Sequence, residues 1–296
     1  MPSHLQVSRR FLEFSQGLQP LTSEVLRARG RFQDIRARLE RNFSVSKIVP
    51  AGSHAKGTAV RGISDADIFA VLRRNEARWG GTVVNSETLL RRVRDDLAGR
   101  YAETDIRLDR QAVRVAFGKG QHSVDVVPAI FHSATRTGYP LYMIPNGSGG
   151  WLITSPDTQS LYLNRCDAAS GGKLKKVVQM LKFWAQWRSA RLALPSFHAE
   201  MVLSASKVAI GPRSYAEAVH EALGVLRRRE GAALQDPCGV SGLIEGANTE
   251  PKREALVTAL DYAYAHASKA LHAEFSGQWV EAVRQWRIVF GDRFPA

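Results

Sequence analysis

The sequence predicts an α+β fold of two lobes, with a mixed sheet in residues 1–150 and a helical lobe in residues 151–296. Three observations predict it. Short runs of strand length, rich in Val and Ile, fall at residues 47–51, 68–72, 112–117 and around Asp125, all in the first half. Beyond Ser170 the apolar residues return at helical spacing almost to the end. Between these regions, residues 139–150 are rich in Pro, Gly, Ser and Asn and read as a loop at the lobe boundary. A chain of 296 residues is long enough for two domains or lobes with a sizeable core.

Residues 23–42 read as an amphipathic helix, with Val25, Leu26, Phe32, Ile35 and Leu39 near helical spacing and placed to pack on the sheet. The run Lys47-Ile48-Val49-Pro50-Ala51 is a strand that enters a turn at Gly52-Ser53, and residues 68–72 are a second strand. Ser86 is expected to cap a helix through Arg100, with Leu89, Leu90, Val93 and Leu97 on its apolar face. Residues 112–117 alternate, Gly118-Lys119-Gly120 reads as a tight turn, and the Val-rich run after it completes a hairpin. Later helices are expected over residues 173–191, 196–209, 214–230 and 251–272, with 275–290 closing the lobe. Asp236-Pro237-Cys238-Gly239 is turn chemistry, in which Pro fixes φ and Gly permits a positive one.

The chemistry concentrates in residues 52–69. A glycine after a strand lets the backbone approach a ligand, so the N–H groups of Gly52 and Ser53 and the Ser53 hydroxyl can cradle phosphate oxygens. Asp65 and Asp67 lie two apart at the start of a strand, where residues i and i+2 share a face, so both carboxylates point into one volume. A pair of this kind suits Mg2+, which takes one or two carboxylates together with substrate phosphate oxygens. A third acid, Asp125, sits inside Val124-Asp125-Val126-Val127, where burial is costly unless the charge is paired or metal-bound. Three such acids, Asp65, Asp67 and Asp125, form a catalytic set able to hold two ions, Mg2+ or Mn2+, with Asp125 nearest an attacking hydroxyl.

The pattern G-S-x3-G-T-x6-D-x-D over residues 52–67, followed by V-D-V-V-P-A at 124–129, resembles the cGAS/DncV-like nucleotidyltransferases within the polymerase-beta-like superfamily. A third segment shares the resemblance: a Lys-bearing helix over residues 173–184, then Leu194-Pro195-Ser196-Phe197. The resemblance covers about residues 45–245 and implies a two-lobed polymerase-beta-like enzyme with a mixed catalytic sheet and a helical nucleotide-binding lobe. It further implies that Lys182 contacts the triphosphate, Ser196 hydrogen-bonds it and Phe197, a Tyr in many relatives, stacks on a base. These roles also make chemical sense: Lys is a point-charge phosphate binder, Ser at a helix N-terminus is a donor beside the positive dipole end, and an aromatic face suits any base. The plainer alternatives are a capping Ser196 and a core Phe197.

The implied reaction joins NTPs without a template into a cyclic di- or trinucleotide second messenger, as in bacterial anti-phage (CBASS) signalling, where the product activates a downstream effector protein. One alternative is a tRNA CCA-adding or oligoadenylate-type enzyme that extends a linear acceptor. Another is a non-catalytic nucleotide or nucleic-acid binding module, against which three intact acids argue. The charge of +13 and pI near 10.1 favour polyanionic partners. The basic residues are scattered, with Arg227-Arg228-Arg229 the densest run, and no basic stripe is interleaved with aromatics, so a nucleic-acid activator is not favoured. No run approaches the ~18 apolar residues of a membrane span, and the N-terminus lacks an apolar signal core, which points to a cytoplasmic protein without membrane association. Cys166 and Cys238 form no C-x-x-C pair, so neither a zinc ribbon nor a disulfide framework is expected.

Overall fold

The computed structural model describes residues 3–118, 123–187 and 192–296. The chain divides into two compact units, one spanning Pro20–Ser160 and the other combining Met1–Gln19 with Leu161–Ala296.

The first helix, α1 (Ser3–Gly17), has no counterpart among the elements expected from the sequence. Its signal is an i, i+4, i+7, i+11 stripe, in which Val7, Phe11, Phe14 and Leu18 are all buried. Phe11 meets Trp286 edge-on with ring centroids 5.0 Å apart, and Phe14 lies 4.8 Å from Phe290, so α1 belongs with the helical unit.

In the sheet-bearing unit, α2 (Thr22–Asn42) is followed by β1 (Val45–Ala51), the one-turn helix α3 (Gly52–Lys56) and β2 (Ala66–Leu72). Ile35 and Leu39 form the buried side of α2, whereas Val25 and Leu26, expected on that face, are exposed. A small hairpin, β3 (Arg78–Trp79) and β4 (Thr82–Val83), leads into α4 (Ser86–Arg100). The cap of α4 is Asn85, whose side chain accepts from the Glu87 N–H; Ser86 is buried at the first helical position and donates from Oγ to the Gly150 carbonyl at 2.5 Å. The expected Ser86 cap is therefore one residue late, because Asn fills the cap position equally well.

The main sheet adds β5 (Asp105–Asp109), β6 (Ala112–Ala116), β7 (Val124–Ala134), β8 (Pro140–Pro145) and β9 (Trp151–Thr154). Its order is β1-β2-β7-β6-β5, with β8 joining the far half of β7 and β9 joining β8. Only β2 and β7 run parallel, which makes the sheet mixed. The expected hairpin arms are β6 and β7, paired antiparallel, and of the turn expected at Gly118-Lys119-Gly120 all but Gly118 lies outside the described residues. The expected loop over residues 139–150 is half strand. Leu141 to Ile144 are apolar and pair with β7 and β9, an apolar run that outweighs the flanking prolines, and only the tip at Asn146 is a turn, closed by its Oδ1 accepting from the Ser148 and Gly150 N–H groups.

Side chains alternate across the sheet. Ile68, Ala70 and Leu72 of β2 and Val124 and Val126 of β7 join Ile35, Leu39, Leu89, Val93 and Leu97 in a core beneath α2 and α4. Each of these fully buried side chains contributes about 1.5–3 kcal/mol. Phe69, Val71 and Ala129 emerge on the opposite face, and so, by the same alternation, do Asp67 and Asp125.

After α5 (Pro156–Ala169) the chain is helical through α6 (Leu174–Gln186), α7 (Ser196–Ala205) and α8 (Tyr215–Arg229). The end of the expected 173–191 helix reaches residues that are not described, and α7 stops at Ala205 rather than at 209. Ser214 caps α8 in a reciprocal box with Glu217. A short hairpin, β10 (Leu234–Gln235) and β11 (Leu243–Ile244), precedes α9 (Glu250–Phe275) and α10 (Trp279–Phe290).

Candidate active site

The site begins where β1 ends. Ala51 is the register partner of Asp67, so the turn that follows β1 lies directly beside the Asp67 carboxylate. Gly52 has φ +60°, and a Cβ added there would sit 1.7 Å from Asp67 Oδ2. Both the dihedral and the space therefore demand glycine. Ser53 follows in α3, half-buried, and its carbonyl accepts from the Thr58 N–H at 2.9 Å.

Asp67 and Asp125 are opposite one another in the parallel β2–β7 register, which places both side chains on the face away from the α2–α4 core. Asp125 Oδ1 is buried and accepts no hydrogen bond. Burial pushes the Asp125 carboxyl up to about 7; Arg114 opposes this, and the charges of Asp67 and Asp65 add to it.

Asp65 precedes β2 and is held in a different way. Its Oδ1 accepts from the Ser123 N–H at 2.8 Å and from Ser123 Oγ at 3.2 Å, and its Oδ2 is paired with Arg114. Arg114 is the register partner of Asp125 on β6 and reaches three acids: Asp65, Asp109 at 3.3 Å and Asp125 at 3.8 Å. Burial acts to lower the Arg114 pKa, but Asp125 and Asp65 outweigh it and raise the value. Arg114 is the member of this charge cluster that the sequence analysis missed. The signal was present: a charge at the centre of Ala112-Val113-Arg114-Val115-Ala116 needs a partner by the same argument that singled out Asp125.

The helical unit holds the remaining expected residues. Lys182 is on α6 and Glu200 on α7, and they form an ion pair of 3.0 Å with side chains only 5% and 3% exposed. A phosphate contact by Lys182 therefore draws on an ammonium already paired with Glu200. Ser196 is exposed at the first position of α7, whose cap position is Pro195, so its hydroxyl is not used as the helix cap. Phe197 is half-buried beside it. Asp236 is buried and organises its own turn, accepting from the N–H groups of Cys238, Val240 and Ser241. That geometry accounts for the Asp-Pro segment as structure.

Comparison with known proteins decides the family. The profile of the Second Messenger Oligonucleotide or Dinucleotide Synthetase domain matches residues 5–166. The chain belongs to this family. It is thus a nucleotidyltransferase of the cGAS/DncV-like group, and the acids and glycine turn of the sheet-bearing unit all fall inside the matched segment. A Bacillus cereus protein named "Probable cyclic nucleotide synthase" is 21% identical, with 86% of this chain and 84% of that protein covered. An Acinetobacter "Cyclic AMP-AMP-AMP synthase" is 23% identical, with 98% and 86% covered. Among solved structures, Escherichia coli CdnC in complex with HORMA-deltaN superposes with a TM-score of 0.73 at 19% identity over 97% of this chain and 98% of that one. A likeness at that identity establishes the fold.

Divalent cations, which the family resemblance implies, can be tested against the donors present. Among the described residues no three of His, Cys, Asp and Glu gather into a ready-made cation cage. A cation that arrives with phosphate oxygens does not need one. The orphaned Oδ1 of Asp125 and the neighbouring Asp67, whose carboxylate fills the room left by the missing Cβ of Gly52 and so lies against the turn, suit such an ion, whereas Asp65 is engaged by Arg114 and Ser123. No helix among the described residues is long and apolar enough to cross a membrane.

Proposed function

We propose that the chain is a template-independent, metal-dependent synthase that joins NTPs into a cyclic di- or trinucleotide second messenger. One observation carries the reading: Asp67 and Asp125 stand side by side on parallel strands, Asp125 with a buried carboxylate oxygen that accepts no hydrogen bond and Asp67 against a glycine turn able to take phosphates. Adenosine is the base to test first, because two relatives are named Cyclic AMP-AMP-AMP synthase.

In the proposed reaction a 2'- or 3'-hydroxyl of one nucleotide attacks the α-phosphate of a second. The O–Pα bond forms, the Pα–O–Pβ bond breaks and pyrophosphate leaves. The N–H groups of Gly52 and Ser53 hold the leaving polyphosphate, and Ser196 donates to it. Lys182 adds its charge once released from Glu200, and Phe197 stacks on a base. Asp125, nearest the attacking hydroxyl, accepts its proton. Asp67 and Asp125, with Asp65 once Arg114 releases it, would hold two Mg2+ or Mn2+ ions, which supply charge neutralisation at the phosphoryl oxygens. An attack of the same kind within the linear product closes the ring, as the second step for a dinucleotide or the third for a trinucleotide, each step releasing one pyrophosphate.

The setting we propose is cytoplasmic anti-phage signalling of the CBASS type. The product activates an effector protein, and a protein regulator is in keeping with the CdnC:HORMA-deltaN complex. The test is incubation of the purified chain with Mn2+ or Mg2+ and the four NTPs, followed by phosphatase treatment and mass spectrometry. A phosphatase-resistant cyclic product is expected, absent with Asp67→Asn. Transfer only to tRNA ends would overturn the reading.

A further inference from the structure

We propose that Arg114 is a two-position latch on the cation-binding acids: it holds Asp65 while no nucleotide is bound and shifts to Asp109 when a divalent cation enters with its nucleotide. The inference rests on the metal reading given above for Asp65, Asp67 and Asp125.

The geometry gives Arg114 two seats. Nη2 is on Asp65 Oδ2, and Nη1 is 3.3 Å from Asp109 Oδ2, so opposite ends of one planar guanidinium touch two acids. The two seats differ. Asp65 is 25% exposed and belongs to the reacting cluster, whereas Asp109 is 44% exposed at the end of β5, beside solvent. With Arg114 on Oδ2 and Ser123 on Oδ1, both oxygens of Asp65 are occupied. Three of the four lone pairs of Asp65 are thus used, and the one left, on Oδ2, lies beside the guanidinium charge, so a cation taking it works against Arg114 rather than against Ser123, whose backbone N–H is fixed. Arg114 is also 3.8 Å from the orphaned oxygen of Asp125, so its charge opposes a dication beside either acid.

The consequence is an ordered loading. A bare dication meets one fixed positive charge and an occupied Asp65. A nucleotide brings several negative charges, which favour the dication and draw Asp65 towards it, and Arg114 keeps a charge partner by closing on Asp109. The latch thus links metal occupancy to substrate without any moving domain.

Mn2+ titration followed by electron paramagnetic resonance of the free ion tests this on the full chain, with and without a non-hydrolysable ATP analogue. Without nucleotide, Arg114→Gln is expected to bind Mn2+ about tenfold more tightly than the unaltered protein, and the gap is expected to narrow when the analogue is added. Arg107→Gln, which removes an exposed charge from the same hairpin, is expected to change affinity less than about twofold. Asp109→Asn removes the second seat and is expected to weaken Mn2+ binding about threefold in the presence of the analogue. Should Arg114→Gln fail to fold, Arg114→Lys keeps the charge but cannot span two acids, and about threefold tightening without nucleotide is expected. Unchanged or weaker Mn2+ binding by a folded Arg114 variant would make the residue a plain buttress and overturn the latch. If the unaltered protein takes up no Mn2+ even with the analogue, the metal reading itself falls, and the latch with it.

Discussion

Two charge clusters in this chain are handled in opposite ways. Lys182 and Glu200 face one another at 3.0 Å, both nearly inaccessible, as a matched pair. Asp125 shares its surroundings with two further acids, has one oxygen without a hydrogen bond, and is held near neutrality by burial. A matched pair has little left to offer a ligand until it opens, while an under-satisfied carboxylate gains from any cation that arrives. The contrast separates residues ready to act from residues that must first be released.

The largest expected effect comes from the unsatisfied side. Asp67→Asn or Asp125→Asn should lower product formation by about a thousandfold or more, measured by pyrophosphate release, and Asp125→Asn should do so without lowering the urea midpoint, because burial already disfavours the Asp125 charge. Gly52→Ala should cost about 1–3 kcal/mol of stability and at least about a hundredfold in rate, since the new methyl meets Asp67 and φ is +60°. Retained activity in that variant would show that the turn and the carboxylate move apart in solution. From the matched side, Glu200→Gln should lower unfolding free energy by about 3–5 kcal/mol in urea titration, because it removes the carboxylate charge facing a buried ammonium. A stability change below about 1 kcal/mol would mean that the pair opens readily.

The pH dependence sharpens the comparison further. The Asp125 pKa is raised from 3.8 to about 7, so the folded protein binds a proton that the unfolded chain has released. Its contribution is fully present below pH about 4 and is lost as pH rises through about 7. Denaturation curves across that window should show a falling contribution that Asp125→Asn removes. The smallest effect belongs to Ser196→Ala. It should raise the KM for NTP a few-fold and change stability by less than about 0.5 kcal/mol, because Ser196 is not the cap of α7.

Much of this was legible in the sequence because it depends on local spacing. The strands flanking Asp67 and Asp125, the buried face of α4, the Ile35 and Leu39 half of the α2 face, and the glycine at position 52 follow from period and turn chemistry acting over a few residues. Misreadings arose where two local signals competed: residues 139–150, in which turn formers framed a four-residue apolar strand, and Ser86, which follows an equally good cap. The helix α1 escaped notice, although its stripe of Val7, Phe11, Phe14 and Leu18 was there to be read.

What the sequence determined alone was therefore the element types and the identity of the acids, because a residue's period and chemistry are its own. Tertiary structure decided which charges are shared. The parallel β2–β7 register sets Asp67 beside Asp125, the β6–β7 register delivers Arg114 to the same cluster, and packing of α6 against α7 closes Lys182 on Glu200. Each of these pairs residues far apart along the chain, and Coulomb energy depends on distance and dielectric, neither of which exists until the backbone has folded.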